Sequence, residues 1–184
     1  MSLLGIIASQ NYPRITGSYE SIATTTVGSG GTSTITFSSI PSGYEHLQLR
    51  ILGRSTATGT DQISIRFNSD TGSNYSEHFL RGDGSSASAY GGANVSAVQT
   101  GVLPGTNQTA SVFGGLIVDI LDYKNTNKYK TVRMITAFDN NGSGSVGLYS
   151  AGWRNTNAIT QIEAFVTGYN FVQYSSFALY GIKS

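Results

Sequence analysis

Apolar and polar residues alternate with period two over most of the chain from Glu20 onward. In one stretch, Leu47, Leu49 and Ile51 alternate with polar residues, and no segment of ten or more residues shows the 3.6-residue period of an amphipathic helix. Successive side chains of a strand point to opposite faces, so this pattern is typical of antiparallel strands with one buried face. It predicts an all-β fold.

Turns rich in glycine, serine and asparagine divide the chain into roughly ten predicted strands. The roughly thirty residues after Leu80 are mostly Ser, Ala, Asn and Gly and are predicted to form a long loop region. The strand number favours an antiparallel two-sheet sandwich of the jelly-roll type, with about eight to ten strands, over residues 20–184. The predicted strands cover residues 21–27, 33–37, 47–51, 63–67, 75–80, 112–121, 129–138, 145–153, 159–166 and 175–182.

Residues 1–19 stand apart from this pattern and are predicted to form an extended N-terminal arm. The apolar run from Leu3 to Ala8 has no preceding Lys or Arg and no convincing cleavage site, so we do not expect a secretory signal. It is also far shorter than the ~20 residues that span a bilayer. We expect the arm to lie in a groove of a partner subunit through its apolar side chains, which are Leu3, Leu4, Ile6, Ile7, Tyr12 and Ile15.

The composition excludes several classes of function. Only 11% of the 184 residues are charged, and the formal net charge is +1. This argues against a nucleic-acid partner, which requires clustered Lys and Arg to neutralise phosphates. Cysteine is absent, which excludes thiol catalysis and thiolate metal sites. No membrane partner is expected, because no apolar run approaches the length of a span.

Residues that could support catalysis are scarce. The chain has two histidines, and His78 follows Glu77 in a predicted strand, which sends the two side chains to opposite faces. We therefore expect no catalytic site, no metal site and no cofactor. The segment Asp139–Gly144 resembles the front half of a calcium loop, but Ser150 stands where an EF-hand requires Glu. A hairpin turn is the favoured interpretation there, and bound calcium is left open.

Aromatic residues are more numerous than residues that could act in catalysis, with eleven Tyr, eight Phe and one Trp. Tyr90, Tyr123, Tyr149 and Trp153 lie in or beside predicted loops and strand ends. An aromatic side chain in such a place can stack on a sugar or anchor a protein interface, and it can equally pack in the core. The four residues are candidate surface or glycan contacts.

Two segments resemble known sequences. Residues 33–50, STITFSSIPSGYEHLQLR, and the C-terminal SSFALYGIKS look like short structural proteins of tailed bacteriophages. In that family a β-sandwich follows a short N-terminal segment. The resemblance implies a virion protein on the exterior of the particle, either a capsid decoration (cement) protein, commonly a homotrimer, or the tip of a tail fibre that binds host glycans.

The cement role is favoured by the N-terminal part of the chain. The predicted domain begins directly after the short arm, without the shaft that a fibre subunit usually contributes. The arm supplies apolar side chains for a neighbour. The expected partners are the major capsid protein or other virion subunits, and the alternative is a receptor-binding tip that recognises host surface glycans.

Deletion of residues 2–15 tests the role of the arm. We expect the shortened chain to keep a folded sandwich, because the period-two pattern begins at Glu20, and to lose incorporation into particles. Circular dichroism would report the fold and quantitative mass spectrometry of purified particles the incorporation. Unchanged incorporation would contradict the predicted role.

Overall fold

The described part of the chain, residues 17–183 of a computed structural model, forms an antiparallel two-sheet β-sandwich. This confirms the predicted fold class. The predicted arm residues Leu3 to Ile15 lie outside the described residues. The twelve strands are β1 Tyr19–Thr26, β2 Thr34–Phe37, β3 His46–Gly53, β4 Thr60–Phe67, β5 Tyr75–Gly82, β6 Ala87–Val95, β7 Val98–Pro104, β8 Gly114–Leu121, β9 Lys130–Asp139, β10 Gly144–Trp153, β11 Ile162–Val166 and β12 Ser176–Ile182.

The core lies between the two sheets. The large sheet has the order β1-β12-β3-β8-β9-β10-β5-β6, and the small sheet has the order β2-β11-β4-β7. The alternating apolar residues seen in the sequence fill the space between them, as Leu49 of β3, Val118 of β8 and Ile63 of β4 do. Burial of these side chains supplies the main driving force for the fold.

The strand order favours the predicted jelly-roll connectivity, which stays a prediction. Eight strands, taken in chain order, change sheet at every step except from β4 to β7: β1, β3, β8 and β12 lie in the large sheet, and β2, β4, β7 and β11 lie in the small one. Each sheet then has the nested order produced by two Greek keys, β1-β12-β3-β8 facing β2-β11-β4-β7.

Two hairpins extend the large sheet beyond this eight-strand arrangement. The β5–β6 hairpin lies between β4 and β7 in the chain, and the β9–β10 hairpin lies between β8 and β11. Strand β9 pairs with β8, and β10 pairs with β5 over eight residue pairs, from Val146 opposite Gly82 to Trp153 opposite Tyr75. The large sheet is therefore twice as wide as the small one.

The prediction of a loop region after Leu80 is wrong, because β6 and β7 lie within it. Strand β6 consists mainly of small residues, and most of its positions are exposed on both faces. Every residue of β7 is buried. Period-two alternation appears only where one face of a strand is buried and the other is exposed to solvent. Strand β6 is exposed on both faces and β7 is buried on both, so the sequence of neither strand alternates.

A buried carboxyl group links the two sheets where the hairpins widen the molecule. Glu77 of β5 points into the interior and accepts a 2.7 Å hydrogen bond from the backbone N–H of Gln99 in β7. Burial raises the pKa of the Glu77 carboxyl above its ordinary value, and the bond from Gln99 only partly opposes this. The ionised group therefore makes the folded state less stable at neutral pH than a neutral acceptor would.

We predict that Glu77→Gln raises the free energy of unfolding at pH 7. The amide oxygen of Gln can still accept the Gln99 N–H, and no charge is buried. In the native chain the folded state holds the Glu77 proton to a higher pH than the unfolded state does. Its contribution is therefore most favourable below the unfolded pKa, which is near 4.5, and is lost as pH rises through the folded pKa.

Urea denaturation between about pH 4 and 7 measures this effect. The native chain should lose stability relative to Glu77→Gln as pH rises. Glu45→Gln, which removes one partly exposed carboxylate, is the matched control for the loss of a charge. Parallel stability profiles for the native chain and Glu77→Gln would contradict the prediction.

Candidate functional site

Four large aliphatic side chains form a continuous row on the outer face of the large sheet, the face turned away from the core. In the strand register Ile117 of β8 is opposite Ile135 of β9, Ile135 is opposite Leu148 of β10, and Leu148 is opposite Leu80 of β5. Directly opposite residues on one face are nearest neighbours, so the four side chains adjoin one another across four strands. We call them the apolar row.

The apolar row is open to solvent in the described part of the chain. Its side chains are 41% exposed at Ile117, 53% at Ile135, 57% at Leu148 and 56% at Leu80. The next line of outer positions along the strands adds exposed Leu52 and Val146, separated by small residues. Scattered single hydrophobic residues are normal on a surface, whereas a contiguous patch of this kind marks an interaction site.

A line of polar side chains borders the apolar row on its other side. Asp119 accepts hydrogen bonds from the amide of Gln48, at 2.7 Å, and from Nε of Arg133, at 3.0 Å. Arg50 donates from Nε to Gln48 Oε1 at 2.7 Å. Asp119 and Arg133 therefore form an ion pair within the sheet, whereas Arg50, which stands opposite Ile117 at the β3 end of the row, bonds to an uncharged amide.

The apolar and polar lines together form a shallow groove of about 780 Å³ across the sheet. Its walls include Ile117, Ile135, Leu148 and Leu80 on one side and Asp119 and Arg133 on the other. Such a surface can hold an extended apolar segment, with polar groups along one edge to accept or donate hydrogen bonds.

Sequence analysis missed the apolar row, although one signal was present. In β8 the run Leu116-Ile117-Val118 breaks the alternation, which indicates that both faces of the strand carry apolar side chains. The row itself depends on which residues stand opposite one another, and non-adjacent strands such as β10 and β5 meet only in the tertiary structure.

Three of the four candidate aromatic contacts are buried, so the expectation that they lie on the surface is corrected. Trp153 is 1% exposed, and its ring packs on Phe67 and Tyr75 with centroid distances of 5.7 and 6.3 Å. Tyr123 is fully enclosed and donates its hydroxyl to the backbone carbonyl of Pro41. Tyr149 is buried too. Strand-end position did not distinguish core from surface, because each side chain points inward.

Tyr90 is the one candidate aromatic residue that lies at the surface. Its side chain is 49% exposed, and its ring lies 5.5 Å from the ring of Phe79. It belongs to β6, the edge strand of the large sheet. Tyr90 stands opposite Phe79 of β5, whose side chain points inward. Tyr90 therefore lies on the inner face of the large sheet and is not part of the apolar row, which lies on the outer face.

The predicted opposite orientation of Glu77 and His78 is confirmed, because Glu77 is buried and His78 is exposed. Asp139 accepts hydrogen bonds from the backbone N–H groups of Asn141 and Gly142, at 2.7 and 3.3 Å, so its carboxylate closes the β9–β10 turn.

Within residues 17–183, no three His, Asp or Glu side chains lie close enough together to hold a metal ion. The same residues contain no helix long and apolar enough to cross a membrane.

Comparisons of the chain with protein-family models, with curated protein sequences and with solved structures found no match.

A partly buried hydrogen bond holds the indole of Trp153. Its indole Nε1 donates to Oδ2 of Asp70 at 2.8 Å. Burial by itself would raise the pKa of Asp70, but hydrogen bonds from Trp153, from the Asn74 amide and from the Gly72 N–H outweigh it and hold this pKa below its ordinary value.

We predict that Trp153→Phe lowers the free energy of unfolding by about 1–3 kcal/mol, because Asp70 loses a donor and the core loses ring volume. The pKa of Asp70 should rise at the same time. Urea denaturation and an NMR titration of Asp70 measure the two effects. Tyr129→Phe, at an exposed tyrosine, is the control. An effect of Trp153→Phe no larger than that of the control would contradict the prediction.

Proposed function

We propose that the chain is a non-enzymatic structural protein of a tailed bacteriophage virion, a capsid decoration or cement protein on the exterior of the particle. The observation that supports this most directly is the exposed apolar row on a sandwich with few charges. A surface of this kind is suited to permanent burial against another protein.

The energetics of burial favour assembly. Each Å² of apolar surface removed from water contributes roughly 25 cal/mol, and an obligate interface gains most of its stability in this way. Burying a charge without a good partner has a large opposing cost. Only 11% of the residues are charged, and Asp119 and Arg133 beside the row already pair with each other.

In the proposed mechanism the chain acts by adhesion. Homotrimers bind across the junctions between subunits of the major capsid protein and bury apolar surface on each neighbour. The arm residues Leu3, Leu4, Ile6, Ile7, Tyr12 and Ile15 join one subunit to another. The bound protein opposes the outward pressure of the packaged DNA, and no catalytic group or cofactor takes part.

The alternative function is a tail-fibre tip that binds host glycans. The specific feature in its favour is Tyr90, which is half exposed on the edge strand and backed by Phe79. A single exposed tyrosine offers one stacking surface for a sugar ring. Because Tyr123, Tyr149 and Trp153 are buried, Tyr90 is the member of the four candidates that can stack on a sugar. Tyr129, Tyr169 and Tyr174 are also exposed.

We predict that Leu148→Gln and Ile135→Gln, tested singly, each reduce the number of copies bound per particle by about tenfold or more at limiting protein concentration. Removing one well-buried aliphatic contact weakens an interface by about that factor. Quantitative mass spectrometry of purified particles measures the copy number. Tyr129→Gln, which removes an exposed side chain outside the row, should bind as the native chain does.

Two results would contradict the proposed function. One is unchanged particle binding by both row variants. The other is glycan binding by the purified native chain that Tyr90→Ala abolishes and Leu148→Gln leaves intact, which would favour the tail-fibre alternative.

A further inference from the structure

The apolar row is exposed, and the chain itself contains a segment of matching chemistry. Residues 3–8 read Leu-Leu-Gly-Ile-Ile-Ala and carry no charged side chain. The segment has four large aliphatic side chains, and when it is extended two of them at a time, Leu3 with Ile7 or Leu4 with Ile6, can face the row. Tyr12 and Ile15 follow it, and the described chain begins at residue 17.

The segment joins the sandwich at the edge of the same sheet. Tyr19 begins β1, the edge strand of the large sheet, and lies on the outer face. The Arg50 guanidinium lies 5.6 Å from the centre of the Tyr19 ring. Arg50 stands directly opposite Ile117, the first residue of the apolar row.

The lengths are compatible with docking. The row crosses four strands, which is three strand spacings or about 14 Å. Four or five extended residues cover that distance, so residues 3–8 can span the row. Residues 9–18 can bridge up to about 35 Å between the docked segment and β1.

The direction of β1 favours a neighbouring copy as the source of the segment. Tyr19 pairs with Ile182, at the end of the sheet beyond the polar line, and β1 runs from there past the level of the apolar row. A chain that continued straight back from Tyr19 would leave its own sheet at the far end from the row. To cover its own row the chain would have to reverse direction after Tyr19, so the geometry favours the row of a neighbouring copy.

We infer that residues 3–8 of one copy lie along the apolar row formed by Ile117, Ile135, Leu148 and Leu80 of a second copy. The exchanged segment buries the row and links the subunits of the oligomer. This inference rests on the proposed function for the expectation of an oligomer, and it names the occupant of the exposed face.

The absence of cysteine allows a direct test by disulfide formation. Full-length Ile6→Cys protein is mixed with full-length Leu148→Cys protein under mild oxidation, and mixed disulfides are identified by mass spectrometry. Thr36→Cys, at an exposed position of β2 on the opposite side of the sandwich, replaces Leu148→Cys as the matched control. We expect at least about tenfold more mixed disulfide with Leu148→Cys, because docking raises the effective concentration of the two thiols.

Two outcomes would overturn the inference. One is an equal yield of mixed disulfide with Leu148→Cys and with Thr36→Cys. The other is a disulfide that forms only within single chains of an Ile6→Cys, Leu148→Cys double variant, which would place the segment on its own sheet.

A second measurement does not depend on disulfide chemistry. Sedimentation of the native chain should show an oligomer, and deletion of residues 2–15 and Leu148→Gln should each shift it towards monomer by about tenfold or more in dissociation constant. An oligomer that both variants leave unchanged would count against the exchange. Circular dichroism verifies that each variant is folded, which is expected because the core cluster of the described residues runs from Val27 to Leu179 and Leu148 lies outside it.

Both measurements use purified protein, so they separate this inference from the proposed function. Segment exchange in a chain that binds no particle would leave the inference standing and contradict the cement role. Particle binding that depends on the apolar row, without any exchange between copies, would contradict the inference and leave the cement role standing.

Discussion

The antiparallel register of the large sheet is the constraint on which the surface of this protein depends. Backbone hydrogen bonds hold eight strands in fixed alignment, and a shift of one residue would move every side chain of a strand to the other face. Core residues such as Leu49 and Val118 are buried only in the observed register. The same register places Ile117, Ile135 and Leu148 side by side on the outer face. Core packing therefore fixes the position of the apolar row.

The β5–β6 and β9–β10 hairpins build the part of the large sheet that carries most of the apolar row. Without them the large sheet would contain β1, β12, β3 and β8, and of the apolar row only Ile117 would be present. Pairing of β10 with β5 supplies the contact between Leu148 and Leu80. The widened region also buries Glu77 against β7, with a cost in stability at neutral pH. The hairpins thus add an exposed apolar row to a sandwich core at some expense to the stability of the core.

The apolar row and the N-terminal arm have complementary chemistry. Each offers aliphatic side chains, and neither needs an external charge, because Asp119 and Arg133 beside the row satisfy each other. Binding through such surfaces is driven by the removal of apolar surface from water. Unlike binding through charged interfaces, it is not weakened by the screening effect of salt. A decoration protein on the outside of a particle would benefit from both properties.

The sequence by itself determined the fold class, because period-two alternation identifies strands that have one buried face. It also placed ten of the twelve strands close to their observed positions. Only the tertiary structure decided that β6 and β7 are strands, that Trp153 and Tyr123 are buried, and that four aliphatic residues form one row. The physical reason is that alternation depends on the environment of each strand, whereas neighbours across a sheet are chosen by long-range pairing, which no local pattern records.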